Sequence, residues 1–208
     1  MELLDVGVKC PDCGIKFISR QIIDVVDTGV RNSELRQHLG DVRPQYEPWS
    51  VSTCPSCGRA DWSTCFVPTE EECVLVQART TPHLQYRAAA IRAERQDRNS
   101  FTAALFYLYA AWCADDLDAI PQAKEYRRLA LEAFRRSLTD VSCPLDNRAE
   151  AEYLIGELLR RTEQFESCRN HFSQVTSRLP GPFAMMARKL MKLAEMRNSS
   201  LVEFEGFV

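Results

Sequence analysis

The chain has 208 residues, a formal net charge of −3 and 45% hydrophobic residues, as expected of a globular protein with one or two domains. Residues 1–67 hold 7 basic and 9 acidic side chains and residues 68–208 hold 19 and 20, so neither part has the basic excess of a dedicated nucleic-acid-binding domain. The N-terminus lacks the apolar core of a signal peptide, and no apolar run is long enough to span a bilayer, so we expect a cytoplasmic protein without membrane contact.

Two short cysteine motifs mark the N-terminal third of the chain. Cys10 with Cys13, and again Cys54 with Cys57, stand in the pattern Cys-Pro-x-Cys-Gly. Proline fixes the backbone after the first sulfur, and glycine readily adopts the positive φ that such a turn needs after the second. Two such pairs supply the four thiolates that a tetrahedral zinc ion prefers. We therefore predict one structural zinc ion bound by Cys10, Cys13, Cys54 and Cys57, and an N-terminal domain that folds only with its metal.

A Cys-x-x-Cys pair can instead be a redox motif, and this alternative stays open. A redox pair normally opens a helix, whereas Gly14 is followed by the β-prone residues 15–19, and redox chemistry does not explain the second copy. Cys65, Cys73 and His38 could extend the ligand set, although four cysteines already satisfy a tetrahedral ion.

The residues around the two motifs read as short strands separated by turns. Alternating and β-branched apolar residues predict the strands, and a short helix at Ser33–Leu39 is a further possibility. The predicted strands are residues 6–8, 17–26, 49–53 and 59–66. We therefore assign residues 1–67 to a zinc-ribbon-like domain.

From Pro68 onward the pattern is helical. Thr69 and Glu72 form a capping-box pattern that predicts a helix over residues 70–79, and Pro82 can begin the next helix, which extends to about residue 98. Apolar residues at helical spacing then predict a hairpin over residues 100–138, and a last helix follows Pro182. We assign residues 68–197 to a helical domain and residues 198–208 to a loosely ordered tail.

Residues 149–180 resemble a tetratricopeptide repeat. The resemblance depends on the spacing of its characteristic positions, and it departs from the repeat at Glu152, where an aromatic residue is usual. The matching residues are Ile155 and Gly156 in the first helix, Phe165, Cys168 and Phe172 in the second, and Pro180 at the end. The 100–138 hairpin resembles a degenerate neighbour, and a plain helical bundle is the alternative for both.

The whole layout resembles a bacterial family known as domain of unknown function 2225. The features that carry this resemblance are the two cysteine motifs, the extended segment from Pro44 to Val51 between them, and the helical half from residue 68. The resemblance implies an α+β protein that is mostly α, with a small zinc-ribbon domain followed by a helical-hairpin domain. It implies no reaction.

These features together favour a non-enzymatic adaptor that holds a protein or peptide partner in the groove of its helical hairpins. One alternative is nucleic-acid binding through a patch with Trp49 and the arginines at positions 31, 36, 43 and 59. Another is a redox or zinc-sensing role for the thiols. The sequence contains no phosphate-binding glycine loop, and its three histidines are scattered, so we expect no enzyme.

Overall fold

The structure is a computed structural model that describes residues 2–24, 29–37, 46–77 and 81–204. Its N-terminal part contains short strands, and its C-terminal part contains six α-helices within the described residues. The strands are β1 (Glu2–Lys9), β2 (Lys16–Asp24), β3 (Arg31–Asn32), β4 (Val51–Thr53), β5 (Ala60–Trp62), β6 (Val67–Pro68), β7 (Leu75–Val76) and β8 (Glu203–Phe204). The helices are α1 (Pro82–Arg92), α2 (Ser100–Asp115), α3 (Ile120–Thr139), α4 (Arg148–Arg161), α5 (Phe165–Val175) and α6 (Gly181–Glu195). The architecture is therefore α+β and mostly α, as predicted.

The N-terminal strands form one small sheet and one hairpin. In the sheet the strand order is β6-β1-β2-β7, with β1 antiparallel to β2 and β7 parallel to β2. The hairpin joins β4 to β5. The helix predicted over residues 70–79 is wrong in its described part, because β7 pairs there with Phe17 and Ile18 of β2. The Thr69 hydroxyl does accept the backbone N–H of Glu71, but no helix follows from this local bond.

The helices pack as consecutive hairpins. The turns α2–α3 and α4–α5 are short, and α6 packs on both α4 and α5. Gly156 of α4 faces Phe172 of α5 so closely that a β-carbon at Gly156 would lie 2.3 Å from the ring. This contact joins two positions on which the resemblance to a tetratricopeptide repeat depends, and the repeat itself stays a prediction. Between α1 and α2, residues Ala93–Asp97 form a π-helical turn that ends at Arg98 with a φ of 50°.

The cysteine-bearing β4–β5 hairpin shares the core of the helices. Val51 and Ala60 are buried in the large helical cluster, and Trp62 packs on Phe106 with ring centroids 4.5 Å apart. The Trp62 ring also contacts the rings of Tyr86 and Tyr109 edge-on. The two predicted domains are therefore in direct apolar contact.

Two segments outside the helices lie across them. Residues 31–37 are extended or turn-like rather than helical, so the described part of the possible Ser33–Leu39 helix is wrong. Residues Asn198–Phe204 follow α6, and β8 in this tail pairs antiparallel with β3. The expectation of a loosely ordered tail is wrong for these residues, because α4 and β3 hold them with hydrogen bonds. Among the described residues, none of the helices has both the length and the apolar character needed to cross a lipid bilayer.

Candidate metal centre

The two cysteine motifs fold into matching turns. In the first, the N–H of Cys10 donates to the carbonyl of Ile15 at 2.8 Å, and the N–H of Gly14 donates to that of Cys10 at 2.9 Å. The second repeats both bonds from Cys54 and Gly58, at 2.8 and 3.1 Å. Gly14 and Gly58 have φ values of 75° and 74°, a conformation that costs glycine little. The repeated sequence therefore produces two geometrically equivalent knuckles.

The knuckles face each other and bring four sulfurs together. The Sγ atoms of all four cysteines lie within 4.8 Å of one another. The cross-knuckle pairs are closer, with Cys10 to Cys57 at 3.7 Å and Cys13 to Cys54 at 3.6 Å. Thiolates about 2.3 Å from a tetrahedral zinc ion would be about 3.8 Å apart. The four predicted cysteines thus fit one tetrahedral metal ion, and the spacing leaves little room for a larger cluster.

The thiols differ in their surroundings. Burial raises the pKa of Cys10, and it raises the pKa of Cys57 to about 12. The backbone N–H of Ile15 lowers the pKa of the exposed Cys13 to about 7. Four thiolates this close would repel one another, and a bound dication offsets that repulsion. The donor set is therefore suited to a cation.

The site is supported by a small apolar core. Buried Val8, Phe17 and Phe66 pack with the buried Cys10 and Cys54, and the two phenylalanine rings meet edge to face at 5.5 Å. Five buried residues bury too little apolar surface to hold a sheet together without a further link. A metal ion that joins β1 and β2 to the β4–β5 hairpin would supply this link.

A chain of ion pairs connects the metal centre to α1. The Arg59 side chain pairs with Asp12 of the first knuckle and with Asp61 at 2.7 Å. Asp61 also accepts from Arg92 of α1 at 3.2 Å, and Arg92 pairs with Asp97 at 2.7 Å. Sequence reasoning missed Asp12, Asp61 and Arg92. Their positions were the available signal, since Asp12 precedes Cys13, Asp61 follows Cys57 by four residues, and Arg92 is the last residue of α1.

The other residues considered as ligands lie elsewhere. Among the described cysteines, histidines and acids, the cluster contains the four knuckle cysteines and neither Cys65 nor Cys73. Cys73 lies between β6 and β7, and its Sγ is near Gly7 of β1. His38 lies outside the described residues. All nine cysteines are free of disulfide bonds.

Comparisons with known proteins concern mainly the helical half. Residues 78–195 match the family described as an uncharacterized protein conserved in bacteria (DUF2225). The match includes all six helices and leaves out both cysteine knuckles, although the resemblance drawn from the sequence relied partly on them. Searches of curated proteins and of solved structures found no match. Since the match covers more than half of the chain, the protein belongs to the DUF2225 family of bacterial proteins.

Proposed function

We propose that this protein is a non-enzymatic adaptor in which a structural zinc ion fixes a small β domain on a stack of helical hairpins. The observation that carries the proposal is the docking of the cysteine-bearing β4–β5 hairpin. Cys54 and Cys57 lie between strands whose Val51, Ala60 and Trp62 pack in the helical core. A metal at this position would influence the shape of the helical body rather than a reacting substrate.

The chemistry of the donor set favours zinc. Four thiolates select zinc or iron, and zinc is the usual occupant of a site with two such knuckles. Four protein ligands complete its tetrahedral coordination, and no position stays open for a substrate or a water nucleophile. Zinc would contribute folding free energy here, on the order of 10 kcal/mol by analogy with zinc-finger peptides.

The helical half supports the adaptor role. Stacked hairpins expose long surfaces on which a partner segment can bind, and the contact of Gly156 with Phe172 gives this stack its close helix spacing. The cytoplasm stays the expected location, because nine cysteines in this chain suit metal ligands and buried thiols better than disulfides.

Two arginines of the patch considered for nucleic-acid binding are already paired with carboxylates. The Arg36 guanidinium is bonded to both carboxylate oxygens of Glu47 and to Asp116, and Arg59 is bonded to Asp12 and Asp61. Arginines neutralised in this way contribute little to phosphate binding. Arg43 lies outside the described residues. The protein-partner proposal is therefore the stronger of the two.

The test is purification of the tagged full chain from its own host at low and at high salt, with the tag alone as control. We expect one protein to be recovered in stoichiometric amount at both salt concentrations. Its purified form should then co-elute with the purified chain in size-exclusion chromatography. Recovery of nucleic acid that is lost at high salt, with no protein partner, would contradict the adaptor role and support the nucleic-acid alternative.

A further inference from the structure

The surface shared by the first helices of the two hairpins is already covered by the chain itself. This surface, here called the inner face, carries Trp112 and Asp116 at the end of α2, Tyr153 in α4, and Arg160 with Arg161 at the end of α4. In a hairpin stack such a face is where a partner segment would bind. In this protein two non-helical segments, residues 31–36 and 198–204, lie on it.

Residues 31–36 are anchored by charge. The buried Glu34 carboxylate accepts from Trp112 at 2.9 Å, from Arg127 of α3 at 2.5 Å and from Arg161 at 3.2 Å. The hydroxyl of Tyr153 donates to the carbonyl of Ser33 at 2.9 Å. Fully buried ion pairs of this kind are costly to break, because removal of one partner leaves the other charged and desolvated. We therefore regard this segment as a permanent part of the inner face.

Residues 198–204 are held differently, mostly through their backbone. Arg160 donates to the carbonyls of Asn198 at 2.6 Å and Ser200 at 2.8 Å, and Arg161 donates to that of Ser199. The chain then pairs with β3 over two residues at Glu203 and Phe204. These bonds are made to backbone atoms of the tail, and the Asn198 side chain in turn accepts the N–H of Ser200 at 2.8 Å.

Two side chains of the tail, Val202 and Phe204, pack against the helical core, and Phe204 is the more deeply buried. The Phe204 ring is 7% exposed, and the Lys189 ammonium of α6 lies 4.7 Å from its centroid. Leu201, by contrast, is exposed. The tail thus binds as a strand with one aromatic anchor, which is how a peptide adds to the edge of a sheet.

We infer that the inner face is a strand-receiving site, that the tail is its resident strand, and that a partner protein is recognised by supplying an extended segment with an aromatic anchor in its place. Arg160 is already paired with Glu157 at 2.7 Å, and Arg161 with Glu34, so neither guanidinium is left unpaired when the tail departs. The carbonyls of another strand satisfy the same donors. This inference rests on the proposed adaptor function and names the class of partner.

The resident strand competes with any incoming strand because it is tethered. A tethered segment acts at an effective concentration in the millimolar range, so a free peptide with the same sequence binds the intact protein poorly. Weakening of the tail alone should expose the site. Phe204→Ala removes the anchor, and Val202→Pro removes the backbone N–H that donates to the Ser33 hydroxyl at 3.3 Å.

The experiment measures binding of a fluorescent peptide, Asn-Ser-Ser-Leu-Val-Glu-Phe (residues 198–204), to the full chain by fluorescence anisotropy. We expect the Phe204→Ala chain to bind the peptide at least about tenfold more tightly than the unaltered chain. Leu201→Ala, in the same tail but exposed, is the matched control and should behave like the unaltered chain. A peptide with alanine at the Phe204 position should bind neither chain.

Val202→Pro gives an independent test should Phe204→Ala disturb the helices, which circular dichroism would reveal. Equal affinity of the peptide for the altered and unaltered chains, or no binding to either altered chain at millimolar peptide, would overturn the inference. If the unaltered chain forms a concentration-dependent dimer, the incoming strand comes from a second copy of this chain, because two copies would then exchange tails. This result would overturn the inference that a different protein supplies the strand. Peptide binding without any recovered protein partner would uphold the site and refute the adaptor role, so the two failures are distinguishable.

Discussion

Substitution of Gly156 by alanine tests the helix packing on which the TPR-like assignment depends. The added β-carbon would lie 2.3 Å from Cζ and 2.4 Å from Cε1 of Phe172, whose side chain is fully buried and cannot move into solvent. Overpacking of a core costs about 1–3 kcal/mol, whereas glycine to alanine inside a helix gains about 1 kcal/mol. Since the approach is well inside van der Waals contact, we take the upper end of the cost and expect a net loss of about 2 kcal/mol.

Thermal unfolding followed by far-UV circular dichroism measures this loss. For a chain of this size, about 2 kcal/mol corresponds to a fall in Tm of about 4–8 °C. Gly181→Ala, at the first residue of α6, is the matched control, because a β-carbon there meets no atom within 4 Å. Equal melting temperatures of the two variants, or a gain at Gly156 of the size that helix propensity alone gives, would refute the close packing of α4 on α5.

Three further substitutions test the buried charge, the docking of the hairpin and the backbone strain. Burial opposes the charge of Glu34, but Arg127 and its neighbours outweigh burial and lower the pKa of Glu34 from 4.5 to about 2. The charged carboxylate therefore stabilises the fold fully above pH 4.5, and this stabilisation is lost as the pH falls through the lowered pKa. Glu34→Gln should therefore lower the free energy of unfolding in urea by about 3 kcal/mol near pH 7, and a deficit that persists unchanged down to pH 2 would contradict this. Trp62→Ala should cost about 3 kcal/mol in the same assay and Trp62→Phe clearly less, since the ring packs on the helices; equal costs would contradict the docking. Val141 is exposed with a φ of 63°, so Val141→Gly should stabilise the protein by about 1 kcal/mol in thermal unfolding, whereas a gain also for the exposed Val74→Gly would point to another cause.

The cysteine knuckles could be predicted from the sequence because their geometry is local. Each sulfur pair is fixed by a five-residue turn, and the chemistry of four thiolates indicates a shared cation. The long helices could be predicted for a similar reason, since apolar periodicity over ten or more residues reflects burial of one face. That the two knuckles face each other could also be predicted, because each supplies half of the four ligands that one tetrahedral ion needs.

The strand β7 could not be predicted because its stabilisation is long-range. Thr69 and Glu72 favour a local helix start, and the Thr69 hydroxyl does accept the N–H of Glu71. The ladder to Phe17 and Ile18 of β2 prevails over this local preference. Capping patterns are weak signals when a neighbouring sheet offers backbone partners.

The roles of Glu34 and of the tail could not be predicted either, because their partners are also distant in the sequence. Glu34 stands in a polar stretch typical of a solvated loop, and its three partners come from residues 112, 127 and 161. The polar tail from Asn198 has the composition of a loose terminus, yet Arg160 is buried because it binds the carbonyls there. Arginines at the end of an amphipathic helix are usually solvated, and nothing in the sequence distinguishes these two.

The measurement that tests the account most directly is the metal content of the full chain by native mass spectrometry and elemental analysis. The account predicts one zinc ion per chain, lost in Cys54→Ser and retained in Cys65→Ser, which removes an exposed cysteine outside the cluster. Loss of the ion should unfold the small sheet and leave the helices α2–α6 folded, because their core does not include the cysteine cluster. Stoichiometric zinc in the Cys54→Ser chain, or iron in place of zinc in the unaltered one, would contradict the proposed centre.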